Sequence, residues 1–431
     1  MKKIILVFAY FLFNFGFSQV QIGPNIFSST PLENNFGAVL SISLDGNVVA
    51  ITAGNNDGSG FVQVYRNNSG NWEQVGSDIN GEFPNDLLGS SLDLNSDGSI
   101  IAVGSPGNDN NGIDSGNVKI FRNVNNEWEQ IGSDINGEVQ GDSFGYSLSL
   151  NSSGDIIVIG AVGNDGNGFS SGHVKIFRNI NDTWQQIGTN INGENSRDFS
   201  GTSLGISLDG DIIAIGSPGN NGNGDGAGHV RIFRNNNDIW EQIGLDINGE
   251  AEGDFLGRVN SITLSQDGNT LATGVASNSL SNNLSGRVRV FQNISENWTE
   301  QGLINGELDN DRFGTSLSLS GDGRKIAVGS PQRGDAFNGY GQIFDLGNIL
   351  STNNSASGVT FSILPNPTKE RFLINLDENV ELKKVNIYNQ LGQNVLTSKK
   401  KSVEVQNLSN GIYFVEVMTS LGKSRQKLVV N

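Results

Sequence analysis

A repeat of about 56 residues constrains this chain more than any other feature of its sequence. Residues 144–193 recur in related form before and after themselves. The five tryptophans are spaced 56, 56, 56 and 58 residues apart, at Trp72, Trp128, Trp184, Trp240 and Trp298. A repeat of this length is one supersecondary unit that buries its apolar surface against its neighbours. The sequence therefore predicts an array of similar units.

Each repeat contains four short stretches with the character of β-strands. In residues 144–193 they are SLSL (147–150), DIIVIG (155–160), HVKIF (173–177) and WQQIG (184–188). Alternating or short apolar runs predict strands, and the Ser-Gly, Asp-Gly and Asn-Gly pairs between them favour tight hairpins. Four antiparallel strands make one blade of a β-propeller, so we predict an all-β chain built of such blades.

The two ends of the repeat array complement each other. Residues 20–27, VQIGPNIF, match the end of a repeat such as EQIGSDIN (129–136), whereas residues 313–344 supply three strands and lack a fourth. We predict that the N-terminal strand completes the last blade and closes a six-bladed β-propeller over residues 19–347. Closure leaves no sheet edge to pair with another molecule, so we expect a monomer.

The N-terminus has the pattern of a secretory signal peptide. Residues 1–18 contain two lysines, an apolar run from Ile4 to Phe17 and a small-x-small ending. We expect cleavage between Ser18 and Gln19. No other stretch is apolar enough to cross a bilayer, which predicts an exported protein with no transmembrane span after processing.

The composition changes after the repeats. Residues 348–358, NILSTNNSASG, are typical of a flexible linker. Residues 359–431 contain ten Lys and Arg against six Asp and Glu, a net charge of +4, whereas residues 19–358 carry −24. Short strand-like runs in the last seventy or so residues predict a small immunoglobulin-like β-sandwich. The acidic repeats argue against nucleic acid and anionic membrane as partners, because both require a basic surface.

The residue types present exclude several kinds of chemistry. The chain has no cysteine, and therefore no disulfide, thiol nucleophile or thiolate metal site. Its two histidines, His173 and His229, stand at the same position of neighbouring repeats. The corresponding residues elsewhere are Phe61, Asn117, Arg287 and Gln342. This variety predicts a tolerant surface position, while the alternative is a pair of metal ligands or an acid–base histidine.

Each junction between repeats carries a glutamate and an aspartate four residues apart. The pairs are Glu82 and Asp86, Glu138 and Asp142, Glu194 and Asp198, Glu250 and Asp254, and Glu307 and Asp311. We expect them to be solvated turn residues on one rim. A glycosidase could use two carboxylates there, but catalysis needs one asymmetric pair and these occur in near-identical copies. Calcium held between loops is the other alternative.

Three features together resemble the FG-GAP repeats of integrin α-subunit propellers, across residues 36–346. They are Phe144-Gly145 at the start of a first strand, the turn at Asp97-Gly98, and AVGSP (102–106) before a glycine-rich loop and a VKIF strand. The resemblance implies a β-propeller, although integrin propellers have seven blades where we predict six. Arg333-Gly334-Asp335 also resembles the adhesion tripeptide that integrins recognise.

Some FG-GAP repeats bind calcium through a D-x-D/N-x-D-G-x-x-D loop, which gathers oxygen ligands around a hard cation. Asp93, Asn95 and Asp97 come closest to this pattern, with Ile101 in place of the last carboxylate. The resemblance therefore implies a calcium site at these three residues. The Asn- and Asp-rich loops at 107–112, 163–168 and 219–226 are further possible calcium or ligand contacts.

The C-terminal residues resemble a type A sorting domain of the type IX secretion system. The motifs are ILPNPT (363–368), VNIYNQLGQNV (385–395) and a GIYFV strand near the end. They place the sorting motif at Pro365, Asn366, Pro367, Gly392 and Gly411. The resemblance implies export by the secretion machinery across the outer membrane of a Gram-negative bacterium, followed by release or attachment to the cell surface.

We therefore expect a secreted or surface-displayed propeller that binds an extracellular glycan or protein without catalysis, since loops on a rigid scaffold usually carry recognition. A secreted polysaccharide hydrolase or lyase is the alternative from another class. It should interrupt the repeat at one place with unlike residues, and the clearest departures are residues 272–286 and 332–339. A structural protein of the surface matrix is a third possibility.

Overall fold

The computed structural model describes residues 22–27, 36–54, 57–277, 284–332, 339–347, 361–376, 380–389, 394–419 and 422–431. These residues are all-β, and the chain divides into two compact units, Met1–Ile349 and Leu350–Asn431. Within the described ranges, no helix is long and apolar enough to span a membrane. The signal peptide with Ser18 and Gln19, the Arg333-Gly334-Asp335 tripeptide, the linker and Gly392 lie outside the described residues.

The described part of the first unit contains six antiparallel sheets, which follow one another along the chain. Sheet 1 consists of β1 (Leu40–Ile42), β2 (Val48–Ala53), β3 (Phe61–Asn68), β4 (Asn71–Gln74) and β5 (Ile79–Asn80). Sheet 2 consists of β6 (Ser91–Leu94), β7 (Ile100–Ser105), β8 (Asn117–Val124), β9 (Glu127–Gln130) and β10 (Ile135–Asn136). Sheet 3 consists of β11 (Phe144–Leu150), β12 (Ile156–Ala161), β13 (His173–Ile180), β14 (Thr183–Gln186) and β15 (Ile191–Asn192).

Sheet 4 has five strands like the first three sheets, whereas sheets 5 and 6 have fewer. Sheet 4 consists of β16 (Ser203–Ile206), β17 (Ile212–Ser217), β18 (His229–Asn236), β19 (Ile239–Gln242) and β20 (Ile247–Asn248). Sheet 5 consists of β21 (Ile262–Leu264), β22 (Thr270–Val275), β23 (Arg287–Ile294) and β24 (Asn297–Asn305). Sheet 6 consists of β25 (Ser316–Leu319), β26 (Lys325–Ser330) and β27 (Tyr340–Asp345).

Strands within each sheet pair in chain order, as expected for a β-propeller-like fold. The predicted fourth strand is divided in two in sheets 1 to 4. In sheet 3, for example, β14 pairs with the end of β13 and β15 pairs with its beginning. In sheet 5 the outer strand β24 is continuous and only shifts register against β23.

Local sequence accounts for these elements. The second strand is a continuous apolar run because both of its faces are covered, and all six residues of β12 are buried. The hairpin between β13 and β14 turns at Asn181 and Asp182, which have φ angles of 52° and 60°. Two consecutive positive φ angles define the type I′ turn whose twist matches paired strands, and Asn and Asp adopt it readily.

Adjacent sheets approach each other most closely at glycines. A Cβ atom on Gly160 of β12 would lie 2.3 Å from the carbonyl oxygen of Gly201, and one on Gly216 would lie 2.4 Å from that of Gly257. The same contact joins Gly104 to Gly145 and Gly274 to Gly314. The glycine of the second strand therefore packs on the glycine that opens the following repeat, and this contact gives the repeated Phe-Gly and Gly-Ser-Pro patterns a steric reason.

The periodic tryptophans join the outer edges of neighbouring sheets. In three of them the indole Nε1 donates to a carbonyl oxygen just after the fourth strand of the preceding sheet, whereas the Nε1 of Trp298 is buried without a hydrogen-bond partner among the described residues. The contacts are Trp128 to Val75 at 2.9 Å, Trp184 to Ile131 at 3.0 Å and Trp240 to Ile187 at 3.3 Å.

The inner ends of the sheets are joined by a chain of backbone hydrogen bonds. The amide of each turn residue donates to the carbonyl of the corresponding residue in the next sheet. The series runs from Leu44 to Ser96, Ser152, Leu208, Gln266 and Gly321. A cavity of about 180 Å³ lies beside this series, lined by these turns and by the ends of the first strands of sheets 1 to 5.

Residues 22–27 pack on sheet 1 as the end of a preceding sheet would. The Ile22 carbonyl accepts a hydrogen bond from Trp72 Nε1 at 2.9 Å. Ile26 packs against Val49, Ile51 and Tyr65. At the end of sheet 1, Val75 and Ile79 correspond to Ile22 and Ile26 and make the equivalent contacts with sheet 2. Among the described residues, however, this segment forms no strand with sheet 6.

Two apolar faces remain exposed at the ends of the sheet series. Ile343 of sheet 6 is 71% exposed, and Leu40, Ile42 and Leu44 of sheet 1 are each more than half exposed. The second strand of sheet 6 alternates between buried and exposed, unlike the fully buried second strands of sheets 3 and 4. Among the described residues, sheets 6 and 1 therefore do not pack against each other as the other neighbouring sheets do.

The second unit contains two sheets around one apolar core. The first sheet has the order β28 (Phe361–Leu364), β29 (Arg371–Leu376) and β32 (Ser402–Glu404). The second has the order β31 (Asn394–Ser398), β30 (Leu382–Tyr388), β33 (Gly411–Thr419) and β34 (Gly422–Val430). Phe372, Val385, Val415 and Leu428 are fully buried in this core.

The glycine contact makes a direct prediction. Gly160→Ala should lower the free energy of unfolding by about 1 to 3 kcal/mol, because its methyl group would overlap the backbone of sheet 4. Gly341→Ala is the matched control, since the nearest atom to its Cβ is 3.8 Å away. Urea unfolding of both variants measures the difference, and equal stability of the two would contradict the steric account.

Candidate functional site

One end of the first unit is formed by two kinds of loop. The loops between second and third strands alternate with the junctions between sheets, and backbone hydrogen bonds connect them. The Gly163 amide donates to the carbonyl of Asp142, and the Arg197 amide donates to that of Phe169. We call this surface the loop face; it comprises residues 57–60, 81–90, 106–116, 137–143, 162–172, 193–202, 218–228, 249–261 and 306–315.

The loop face carries many exposed apolar side chains. Phe169 is 64% exposed and Ile113 is 61% exposed, at the tips of neighbouring loops. The others lie in the junctions: Phe83, Leu87, Val139, Phe199, Phe255, Val259 and Leu308. Exposed apolar groups that recur on one surface of a protein are typical of an interaction site.

The prediction of solvated acidic pairs holds for the glutamates but not for the aspartates. The glutamates are largely exposed, but the aspartates are buried, and Asp254 and Asp311 have no exposed surface. The expectation that both members of each pair are solvated is therefore wrong for the aspartates. The Asp254 carboxylate accepts hydrogen bonds from the amides of Glu250 and Ala251, at 3.0 and 3.1 Å. The aspartate shapes the junction, and satisfying these amides offsets its burial.

The exposed glutamates pair with buried cations on the third strands. Glu82 contacts Lys119, Glu138 contacts Lys175, Glu194 contacts Arg231 and Glu250 contacts Arg289. The hydrogen bond from Lys175 lowers the pKa of Glu138. In sheet 6, Gln342 stands where sheets 2 to 5 have the buried Lys or Arg. A cavity of about 170 Å³ lies between Gln342, Glu307 and Tyr340.

The position shared by the two histidines is buried, which corrects the prediction of a tolerant surface position. Asn117, His173, His229 and Arg287 are each at most 5% exposed. Strand register also shows that the equivalent residue in sheet 6 is Tyr340, not Gln342, because Tyr340 pairs with Ser330 as His229 pairs with Ser217. Burial and the nearby Asp311 raise the pKa of Tyr340 to about 12.

The two histidines have different surroundings. Burial and the neighbouring Lys175 lower the pKa of His173 to about 4. Asn190 follows the outer strand of its sheet and accepts a hydrogen bond from Gln186. In sheet 4 the corresponding residue is Asp246, which accepts a hydrogen bond from Gln242 in the same way. His229 therefore faces a carboxylate where the repeat containing His173 has an amide.

His229 lies between two carboxylates from different segments. Its Nδ1 is 3.6 Å from Asp246 Oδ2 and 4.0 Å from Glu194 Oε2. The imidazole lowers the pKa of Asp246, with help from Gln242. Among the described residues, Glu194, His229 and Asp246 are the group of three acidic or histidine side chains whose donor atoms converge, within 4.8 Å. Sequence reasoning found His229 but missed Asp246, whose signal was the Asn-to-Asp change between repeats.

Asp93, Asn95 and Asp97 are each engaged in separate hydrogen bonds. The Asp93 carboxylate accepts from Ser41 at 2.9 Å and from Ser149 at 3.2 Å, both on neighbouring inner strands. Its removal from bulk water raises its pKa, although these hydrogen bonds act in the opposite direction. Asn95 accepts from the Ile100 amide, and Asp97 accepts from the Ser99 amide and hydroxyl. Calcium at these residues stays a prediction, and binding would have to replace these contacts.

The Asn- and Asp-rich loops are organised by their own side chains. Asn164 accepts a hydrogen bond from the Gly166 amide and donates to Asp142. Asp165 accepts from the Ser170 amide at 2.7 Å. The equivalent residues of the 107–112 and 219–226 loops make corresponding contacts. These bonds fix the loops and so fix the positions of the apolar residues at their tips.

Two of the predicted sorting-motif residues meet at the end of the last strand. The Asn366 side chain accepts a hydrogen bond from the Val429 amide at 2.9 Å, and Gly411 pairs with Val430. Pro365 and Pro367 flank Asn366, and both follow cis peptide bonds. The motif thus connects the first strand of this unit to its last.

Family models match two parts of the chain. Residues 362–431 match the secretion system C-terminal sorting domain, and residues 136–177 match the FG-GAP repeat. Both resemblances predicted from sequence are therefore confirmed. The sorting domain shows that the protein is secreted or attached to the outer cell surface. No curated protein matches the chain in sequence.

Several solved structures are similar at low sequence identity. A periplasmic gluconolactonase from Pseudomonas aeruginosa is 14% identical, with a TM-score of 0.46 over 91% of this chain and 88% of that one. A protein assigned as a 6-phosphogluconolactonase from Bacteroides uniformis is 13% identical, with a TM-score of 0.48 over 71% and 84%. Another, from Bacteroides fragilis, is 12% identical, with a TM-score of 0.45 over 85% and 83%. Such similarity carries no information about activity here.

The buried aspartates predict a strong effect of one substitution. Asp254→Ala should lower the free energy of unfolding by about 3 to 5 kcal/mol, because two partly buried amides lose their acceptor and Arg287, 3.5 Å away, loses one of its two carboxylates. Glu252→Ala, an exposed acid in the same junction, is the control and should change stability by less than about 0.5 kcal/mol. Chemical denaturation compares them, and similar small effects would show that the aspartate does not hold the junction.

Proposed function

We propose that this chain, which its sorting domain delivers outside the cell, is a non-catalytic binding or adhesion module for an extracellular glycan or protein. The loop face is the proposed contact surface. The observation that carries the proposal is the recurrence of exposed apolar side chains on loops that hydrogen bonds fix in place. Protein interfaces are enriched in aromatic residues, and Phe83, Phe169, Phe199 and Phe255 supply them here.

The charge of the repeats narrows the choice of partner. Residues 19–358 carry a net charge of −24, which repels nucleic acid and anionic membrane surfaces. Neutral glycans and neutral or basic proteins are compatible with this surface. Calcium could link an anionic partner to it, and calcium dependence is part of the test below.

We further propose that the six sheets close into a six-bladed propeller, with residues 22–27 as the outer strand of sheet 6. This is supported by the contacts of Ile22 and Ile26 with sheet 1, which repeat those of the preceding sheet's end elsewhere. The exposed apolar faces of sheets 1 and 6 would cover each other on closure. We also propose that the two sheets of the second unit are an immunoglobulin-like sandwich.

Ring closure can be tested with engineered cysteines, since the chain has none of its own. Ser96 and Ser152 stand side by side in the inner series, with their hydroxyls 2.8 Å apart. In a closed ring Leu44 and Gly321 stand in the same relation. We expect the double variant Leu44→Cys with Gly321→Cys to form a disulfide on mild oxidation. The control pair, Ser96→Cys with Ser152→Cys, should do the same. Intact-mass measurement reads both, and a cross-linked control with a free 44–321 pair would contradict closure.

A secreted polysaccharide hydrolase or lyase is the second candidate function. The observation that favours it is the asymmetry of sheet 4, where His229 lies between Glu194 and Asp246. An active site requires residues that the other repeats lack, and the combination of His229 with Asp246 occurs in sheet 4 and not in sheet 3. Shortening of a bound polymer by the wild-type protein would support this candidate over a binding module.

The binding proposal is tested with the purified protein on arrays of glycans and matrix proteins, with calcium and with chelator. We expect saturable, selective binding without turnover. Replacing both Ile113 and Phe169 with alanine should weaken it at least about tenfold, because anchors at an interface carry most of its energy. Ile239→Ala is the control, since Ile239 is 62% exposed but lies at the opposite end of its sheet. Absence of binding in both buffers would leave a structural role in the surface matrix.

A further inference from the structure

We propose that Glu194, His229 and Asp246 form a binding site for one divalent transition-metal ion, for which Zn²⁺ is the representative. The three residues come from the junction before sheet 4, the start of its third strand and the segment after its fourth strand. Their donor atoms would be Glu194 Oε2, His229 Nδ1 and Asp246 Oδ2. Glu194 lies within the loop face, but the proposal does not rest on the binding function proposed for that face.

The spacing of the donor atoms suits a small metal ion. With metal–ligand bonds of about 2.0 to 2.2 Å, two ligands of a tetrahedral zinc ion stand roughly 3.3 Å apart. His229 Nδ1 lies 3.6 Å from Asp246 Oδ2 and 4.0 Å from Glu194 Oε2. Small rotations of two partly exposed carboxylate side chains would bring all three atoms to bonding distance.

The state of His229 is the independent observation that points to a ligand. The residue has no exposed surface, and neither of its ring nitrogens has a hydrogen-bond partner. The two carboxylates, at 3.6 and 4.0 Å from Nδ1, lie beyond hydrogen-bonding distance. A buried imidazole in this state is costly, because it has lost its hydrogen bonds with water and gained no hydrogen bond in return. A metal ion bonded to Nδ1 would satisfy that nitrogen, and the two carboxylates would neutralise the charge of the ion.

The donor set favours a transition metal over calcium. An imidazole with carboxylates is a ligand set typical of zinc and its first-row neighbours, whereas calcium takes oxygen ligands almost exclusively. Three protein ligands leave a fourth position for water, and the side chains of Glu194 and Asp246 are 43% and 29% exposed, so solvent reaches the site.

Arg231 is the neighbouring cation, and its geometry is compatible with the site. Its Nη2 donates to the Asn192 carbonyl at 2.7 Å, which holds the guanidinium towards the preceding sheet. Its Nη1 lies 3.7 Å from Glu194 Oε1, the oxygen other than the one that faces His229. Glu194 can therefore face Arg231 with one oxygen and the metal with the other.

Sheet 3 provides a comparison within the same molecule. His173 occupies the same strand position and is equally buried, and Glu138 corresponds to Glu194. Asn190, however, stands where sheet 4 has Asp246, so the second carboxylate is missing. The proposal therefore predicts one metal ion in sheet 4 and none in sheet 3, and Asp246→Asn reproduces the sheet 3 arrangement with a single substitution.

The experiment is titration of the full-length protein with Zn²⁺ by calorimetry, after purification through an affinity tag that contains no histidine. Because the chain has two histidines and no cysteine, few other sites compete. We expect one Zn²⁺ per chain, loss of this binding in His229→Gln, and at least about tenfold weaker binding in Asp246→Asn. His173→Gln is the matched control and should bind as the wild type does. Co²⁺ titration should add visible absorption bands that His229→Gln lacks.

The outcomes separate the proposal from its alternatives. One-to-one binding that depends on His229 and Asp246 but not on His173 supports the site. Absence of one-to-one binding by the wild type overturns it, as does binding that both histidine variants weaken equally. If His229→Gln unfolds, Asp246→Asn decides, since its carboxylate is partly exposed and the replacement keeps its shape. Unchanged affinity in a folded Asp246→Asn protein also overturns the proposal.

Discussion

The close approach of backbone to backbone between neighbouring sheets is the constraint on which the rest of the first unit depends. At Gly160 and Gly201, a side chain on the second strand would overlap the carbonyl of the next sheet. Only glycine permits this separation, and the same contact recurs between successive sheets from sheet 2 to sheet 6, whereas Thr52 takes the position of the second-strand glycine in sheet 1. It fixes how each sheet sits on the next, so that the apolar residues on the two facing sides form one core, such as the core shared by sheets 2 and 3.

The other contacts between sheets follow from this spacing. The tryptophans reach the carbonyls of the preceding sheet at the outer edge, and the amides of the turn residues connect the sheets at the inner edge. The buried aspartates and the Lys or Arg pairs then fix the junctions at one end. What remains free to vary is the side chain at each loop tip. A repeat held together in this way can change its loop face, and so its partner, without disturbing its core.

The sequence predicted most of the fold because its signals are local and repeated. The largely apolar second strand is visible in every repeat, and the tight turn before the fourth strand and the tryptophan are visible in the first five. The burial of Asp254 and His229 was not predictable in the same way, since it depends on which segments meet across a junction. A carboxylate in a glycine-rich turn has the composition of a solvated residue, yet its partners are amides within its own turn. The cluster at His229 likewise required three segments that are distant in sequence.

The two ends of the array decide whether the sheets form a ring. Residues 22–27 lie on sheet 1 as the equivalence of the repeats suggests, while the described residues show no pairing with sheet 6. In a closed ring the amide of Gly321 would complete the inner series by donating to the carbonyl of Leu44.

Hydrogen–deuterium exchange at Gly321 therefore tests the central claim, that the repeats form one closed ring with a continuous loop face. The amide of Gln266, which donates to Gly321 in the same series, is the internal reference. Closure predicts that the two amides exchange at similarly slow rates. Rapid exchange at Gly321 beside a protected Gln266 would show that the array is open.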